Sequence, residues 1–109
     1  MSPGLGRERF HRTPELDTFR ERLDRIDQEL LSVLAQRFSV TREVGRLKAS
    51  ASLAPLDARR EEEVLDRLAQ LGEERGLDAW LIRHVYRLIF DIVVAEHRAQ
   101  RGEPGPPTF

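Results

Sequence analysis

The sequence predicts an all-α protein: a three-helix chain with one very long N-terminal helix, paired with a second copy as an intertwined homodimer. Three observations lead there. Apolar residues recur at three-to-four spacing through most of the chain, which places them on one face of a helix. No alternating apolar–polar run survives, and the turn pairs that make hairpins do not occur, so strand signals are absent. The first periodic run is also too long for a chain of 109 residues to wrap by itself.

The first helix is expected from about Pro14 to Ser50. Thr13 followed by Pro14 makes a good N-cap and first-turn pair. Leu16, Phe19, Leu23, Ile26, Leu30, Val33, Val40, Val44 and Leu47 then follow a heptad-like stripe. A helix of about 36 residues is about 54 Å long, at about 1.5 Å per residue. A compact monomer of this size has a radius of gyration of only about 13 Å. Part of the stripe therefore needs cover from another copy. The second helix is expected to start at Asp57, an N-cap after Pro55, to carry Val64, Leu65, Leu68 and Leu71, and to stop at Gly72. Gly76 and Asp78 punctuate a third start. From there Trp80, Ile82, Val85, Tyr86, Ile89, Val93 and Val94 run to about Arg101. Residues 1–13 and 102–109 lack periodicity and read as a disordered arm and tail around one domain at 14–101.

Composition removes several function classes. The 18 Lys and Arg balance 19 Asp and Glu, for a formal net charge of -1, whereas a nucleic-acid binder normally carries a basic excess. The absence of cysteine excludes disulfide frameworks, thiolate catalysis and Cys-ligated zinc. The three histidines, His11, His84 and His97, are far apart and none forms a metal-like pair, so no metal is expected. No apolar run approaches the roughly 20 residues of a membrane span, and the N-terminus lacks the apolar region of a secretory signal. A cytoplasmic protein without membrane partners is the expectation.

Charged residues then appear where the pattern calls for apolar ones. Continuing the heptad from Leu16, Leu23 and Leu30 puts Arg37 at the next core position, with Val44 following in frame. Lys48 flanks the same seam and Arg20 lies near its beginning. The second stripe begins at Glu61, with Arg60 and Asp57 beside it. The third points onward through Tyr86, Ile89 and Val93 to His97, with Glu96 adjoining. Taken singly, each of these reads as a buried salt bridge or a snorkelling stem, and His97 as a partly solvated helix-end histidine. Taken together, the cations Arg20, Arg37, Lys48 and Arg60 outnumber the inward acid, Glu61. An excess of inward cation suggests an anionic ligand, because an unpaired buried charge is costly. No glycine-rich loop cradles a phosphate, so a small polycarboxylate is the better fit.

At these residues the sequence resembles the all-helical chorismate mutases, over about residues 16–100. The resemblance is carried by LDTFRERLDRIDQELLSVLAQR, EVGRLK, DARREEEVLDRL and GLDAWLIRHVYRLIFDIV. It implies an intertwined dimer of three-helix chains that rearranges chorismate to prephenate, a step of the shikimate pathway toward aromatic amino acids, with no cofactor. It also implies roles. Arg37 is the main clamp on a substrate carboxylate, Arg20 reaches across from the other subunit, and Lys48 hydrogen-bonds the ether oxygen. Asp57 and Glu61 bind the ring C4 hydroxyl, and Arg60 is a second arginine at the mouth. Two positions depart from the pattern of the well-known bacterial type: His97 stands for a glutamine that donates to the ether oxygen, and Val93 for a serine near a carboxylate.

Alternatives remain open at this stage. Within the family they are a mutase for 4-amino-4-deoxychorismate, in which Glu61 faces an amine, and an isochorismate pyruvate lyase, whose AEQ resembles AEH here. The lyase pattern lacks the acid that Glu61 supplies. From another class comes a non-catalytic helical dimer acting as a regulatory or scaffold module. Nothing after residue 101 resembles a dehydratase, dehydrogenase or amino-acid-sensing domain, so a monofunctional enzyme is expected.

Overall fold

The computed structural model describes residues 13–103; the expected N-terminal arm and C-terminal tail fall almost entirely outside them. Among the described residues the chain forms three α-helices and no strand: α1 (Pro14–Ser50), α2 (Ala58–Glu74) and α3 (Ala79–Gln100). The described residues divide into two compact units, the first ending at Arg37 and the second beginning at Phe38.

The first unit is the N-terminal part of α1. Its start is built as the sequence implies. Thr13 Oγ1 accepts a hydrogen bond from the Leu16 backbone at 3.1 Å, and Glu15 and Asp17 place negative charge in the first turn. The apolar stripe lies open, with Phe19, Leu23, Ile26 and Leu30 each more than half exposed. Singly such residues are ordinary on a surface, but a continuous stripe marks an interaction face.

The second unit holds the core. Leu65, Ala69 and Gly72 of α2 are buried, as are Ile82, Ile89, Phe90 and Ala95 of α3. Leu65 is fully buried, which stabilises the unit by roughly 1.5–3 kcal/mol. Arg83 pairs with Asp66 and Arg87 with Glu62, both at 2.8 Å, across the exposed seam of the two helices. Exposed pairs of this kind contribute only about 0–1 kcal/mol each, so burial and not charge holds α2 to α3.

The helix ends explain one difference from expectation. Gly72 does not stop α2, which runs on to Glu74. Gly72 is instead a point of close approach, since a Cβ there would lie 2.5 Å from Ile82 Cγ1. Gly76, in the left-handed region at φ 78°, ends the helix. The Leu77 and Gly76 amides then donate to the Gly72 and Glu73 carbonyls, the double closure of a Schellman motif. Gly102, at φ 81°, closes α3 the same way, with Glu103 and Gly102 donating to Arg98 and Ala99. At the end of α1 the left-handed position is Ser52, at φ 57°, and Leu53 donates to the Lys48 carbonyl at 2.8 Å. A side chain there costs roughly 1–2 kcal/mol relative to glycine.

Candidate active site

Lys48 lies in the last turn of α1, where a cation also suits the negative end of the helix dipole. The chain turns at Ser52 and comes back over it, and the half-buried Lys48 ammonium donates to the Pro55 carbonyl at 3.4 Å. Two residues later Asp57 caps α2, its Oδ1 accepting from the Arg60 backbone at 3.1 Å. Of its expected roles, the cap is thus built into the fold, and Arg60 stays exposed beside it.

Glu61 follows in the first turn of α2 and is half-buried. Its carboxyl is pushed above the ordinary value of 4.5, chiefly by burial, then by the negative charge of Asp91 on α3. Glu62 pushes the same way, while Arg87 and Lys48 pull it back. Lys48 and Glu61 are thus near enough to sense one another's charge, from different helices. Asp91 and Arg87 belong to that surrounding too, and sequence reasoning missed both. Each lies at least 26 residues from Glu61, and only the pairing of α2 with α3 brings them near.

Val93 is half-buried on α3 and His97, one turn on, is 3% exposed. A partly solvated helix-end histidine is not what the fold builds. His97 Nε2 lies 2.7 Å from the Thr41 carbonyl oxygen, while Nδ1 is buried with no hydrogen-bond partner. Next to it Arg42 Nε donates to Glu96 Oε2 at 3.1 Å. In the first unit, Arg37 is half-buried within α1, and Arg20 pairs with Asp17 at 3.5 Å. An open groove of about 580 Å³ runs along α3 past Trp80, His84, Leu88 and Asp91, and no residue of the predicted set lines it. Among the described residues no group of three His, Cys, Asp or Glu could hold a metal ion. Nor is any described helix long and apolar enough to cross a membrane.

An all-helical fold, with a cation at the end of the longest helix acting on the charge of an acid at the start of the second, agrees with one family of sequences. Residues 19–98 match chorismate mutase type II. The chain belongs to that family.

Similarity to individual chorismate mutases is moderate and extends over much of the chain. It is 35% identical over 80 residues to the bifunctional chorismate mutase/prephenate dehydratase of Escherichia coli (strain K12), covering 73% of this chain and 21% of the relative. The intracellular chorismate mutase of Mycobacterium tuberculosis (strain ATCC 25618 / H37Rv) is 34% identical over 61 residues, 56% of this chain and 58% of the relative. The bifunctional enzyme of Aquifex aeolicus (strain VF5) is 33% identical over 60 residues, 55% of this chain and 17% of the relative. The chain therefore spans under two thirds of each of these relatives.

Proposed function

We propose that the protein is a chorismate mutase that converts chorismate to prephenate as a cytoplasmic homodimer. The observation that carries this reading is the match of residues 19–98 to chorismate mutase type II, and the electrostatic influence of Lys48 on the half-buried Glu61 agrees with it. The rearrangement is unimolecular: one C–O bond breaks, one C–C bond forms, and no proton, electron or group is exchanged. The protein's work is to hold the flexible enolpyruvyl arm over the ring and to stabilise negative charge gathering on the breaking ether oxygen.

On this reading Arg37 clamps one substrate carboxylate, and Arg20 of a second copy helps to bind the other end. A bidentate guanidinium suits a carboxylate better than a point charge does. Lys48 donates to the ether oxygen. Glu61, with Asp57 near it, accepts from the ring hydroxyl, and Arg60 stands at the mouth. Val93 lines the end contributed by α3, with His97 one turn beyond it. The open stripe of α1 supports a homodimer, because a second copy is the simplest cover for it.

The test is direct. Pure protein incubated with chorismate removes the diene absorbance faster than the spontaneous reaction, and Arg37→Ala abolishes that rate while far-ultraviolet dichroism still reports a helical protein. Turnover of isochorismate or of the 4-amino analogue instead of chorismate would reassign the substrate. No turnover of any of the three would leave a binding or regulatory module.

A further inference from the structure

α1 and α3 meet at a glycine. A Cβ on Gly45 would stand 2.5 Å from His97 Cδ2 and would collide with Gln100 Oε1, so bare backbone is what lets both side chains reach α1. Each of them ends on a main-chain carbonyl. His97 Nε2 is 2.7 Å from Thr41 O, and Gln100 Nε2 donates to Arg42 O at 3.1 Å.

A carbonyl oxygen can only accept, so His97 Nε2 carries a proton. The state of Nδ1 follows from its surroundings. Protonating it would create a buried positive charge and an N–H with no acceptor, whereas a bare nitrogen leaves one lone pair unfilled, the smaller cost. Arg42, which follows Thr41 on α1, and Glu96, which precedes His97 on α3, pair with each other at 3.1 Å. The second carboxylate oxygen of Glu96 is also buried without a hydrogen-bond partner, so it does not serve Nδ1.

We infer that His97 is a positioning residue: as the neutral Nε2–H tautomer it fastens α3 to α1 at Thr41, about two turns before Lys48, and it does not donate to the ligand. The inference rests on the chorismate mutase reading for its last clause only. Its one N–H is committed to Thr41, and its other nitrogen can only accept. Lys48 follows Gly45 by three residues on the same helix, so the crossing that His97 secures sets where the ammonium stands. The donor left for the ether oxygen is Lys48.

The 109-residue chain labelled with ¹⁵N at its histidine rings provides the test, with His11 and His84 assigned through H11Q and H84Q. Two-bond ¹⁵N–¹H correlations at pH 7.5 are expected to show His97 with Nε2 protonated and Nδ1 bare. Saturating prephenate should shift other resonances and leave the His97 ring nitrogens in place. In turnover, H97A should lose at least about tenfold in kcat/KM through misplacement. H97Q, whose amide can donate to the same carbonyl, should recover most of that loss, with a pH profile that superimposes on the native one. A proton on Nδ1 in the free protein would overturn the fastening by a neutral ring. A prephenate-dependent shift of Nε2, or a native profile that falls through the histidine range while that of H97Q does not, would overturn the positioning role. A spectrum in which nothing responds to prephenate would instead remove the mutase reading, with the free-protein tautomer still deciding the fastening.

Discussion

Gly45 and His97 occupy one space: the imidazole of His97 lies where a side chain at position 45 would begin, 2.5 Å from the site of its Cβ. The same Cβ would strike Gln100 Oε1, and that flexible side chain can swing away only by giving up its bond to the Arg42 carbonyl. The imidazole cannot move without giving up its bond to Thr41. Gly45→Ala should therefore destabilise the protein, although alanine is the better helix former by about 1 kcal/mol. Overpacking costs about 1–3 kcal/mol, so a net loss of about 1 kcal/mol is expected by denaturant titration. Turnover should fall as well, because Lys48 is displaced. A G45A protein more stable than the native one would mean that the crossing is loose enough to admit a methyl group.

Glu61 makes stability depend on pH in a defined direction. Its folded pKa is raised above the ordinary 4.5, so the folded state binds that proton more tightly than the unfolded chain. The stabilisation is fully present below the unfolded value and is lost as pH rises through the folded one. Above that window the half-buried carboxylate weighs against folding. Glu61→Gln should therefore raise the melting temperature at pH 7 by a few degrees at most, and the advantage should vanish as pH falls toward 4. Equal melting temperatures at pH 7 would show that burial of the carboxylate carries no cost. Turnover should fall in the same variant, since an amide accepts more weakly than a carboxylate.

Asp91 offers a separate handle on the same carboxyl. Its charge raises the Glu61 pKa, second only to burial. If the ionised form of Glu61 accepts from the ring hydroxyl, kcat/KM should fall on acidification with a midpoint above 4.5. Asp91→Asn removes one negative neighbour, so the midpoint should move to lower pH, by a fraction of a unit at this partly solvated position. The rate at pH 7.5 should change little beside that shift. An acid limb that stays in place would mean that Glu61 titrates without sensing α3.

What the sequence revealed, and what it did not, follows the range of the interactions. The caps at Thr13 and Asp57 were legible because an N-cap and its helix are neighbours in the chain. Glu61 stood out because it falls where an apolar stripe should begin, and Lys48 because it flanks the seam one position beyond Leu47. Gly72 was misread as a stop, because its reason for being glycine is Ile82, on another helix. Asp91 gave no sign, since a charge on a solvated helix face acquires meaning only when Glu61 packs near it. The partner of His97 could not be named either: Thr41 supplies a backbone carbonyl, which no residue type announces.

The stripe of α1 leads to the last prediction. Leu23 and Leu30 lie seven residues apart on it, and each is more than half exposed. If a second copy covers them, sedimentation equilibrium should give twice the 12.6 kDa chain mass. Burying each leucine contributes roughly 1.5–3 kcal/mol, and an unpaired carboxylate in its place costs more. Leu23→Asp combined with Leu30→Asp should thus weaken self-association by at least about 100-fold, since about 1.4 kcal/mol corresponds to tenfold. Turnover should disappear with the dimer, because Arg20 is expected to act on the site of the other copy. A double variant that still sediments at twice the chain mass would place the dimer contact elsewhere. A monomeric variant that still turns over chorismate at the native rate would remove Arg20 from the shared site, because one chain would then hold every group the reaction needs.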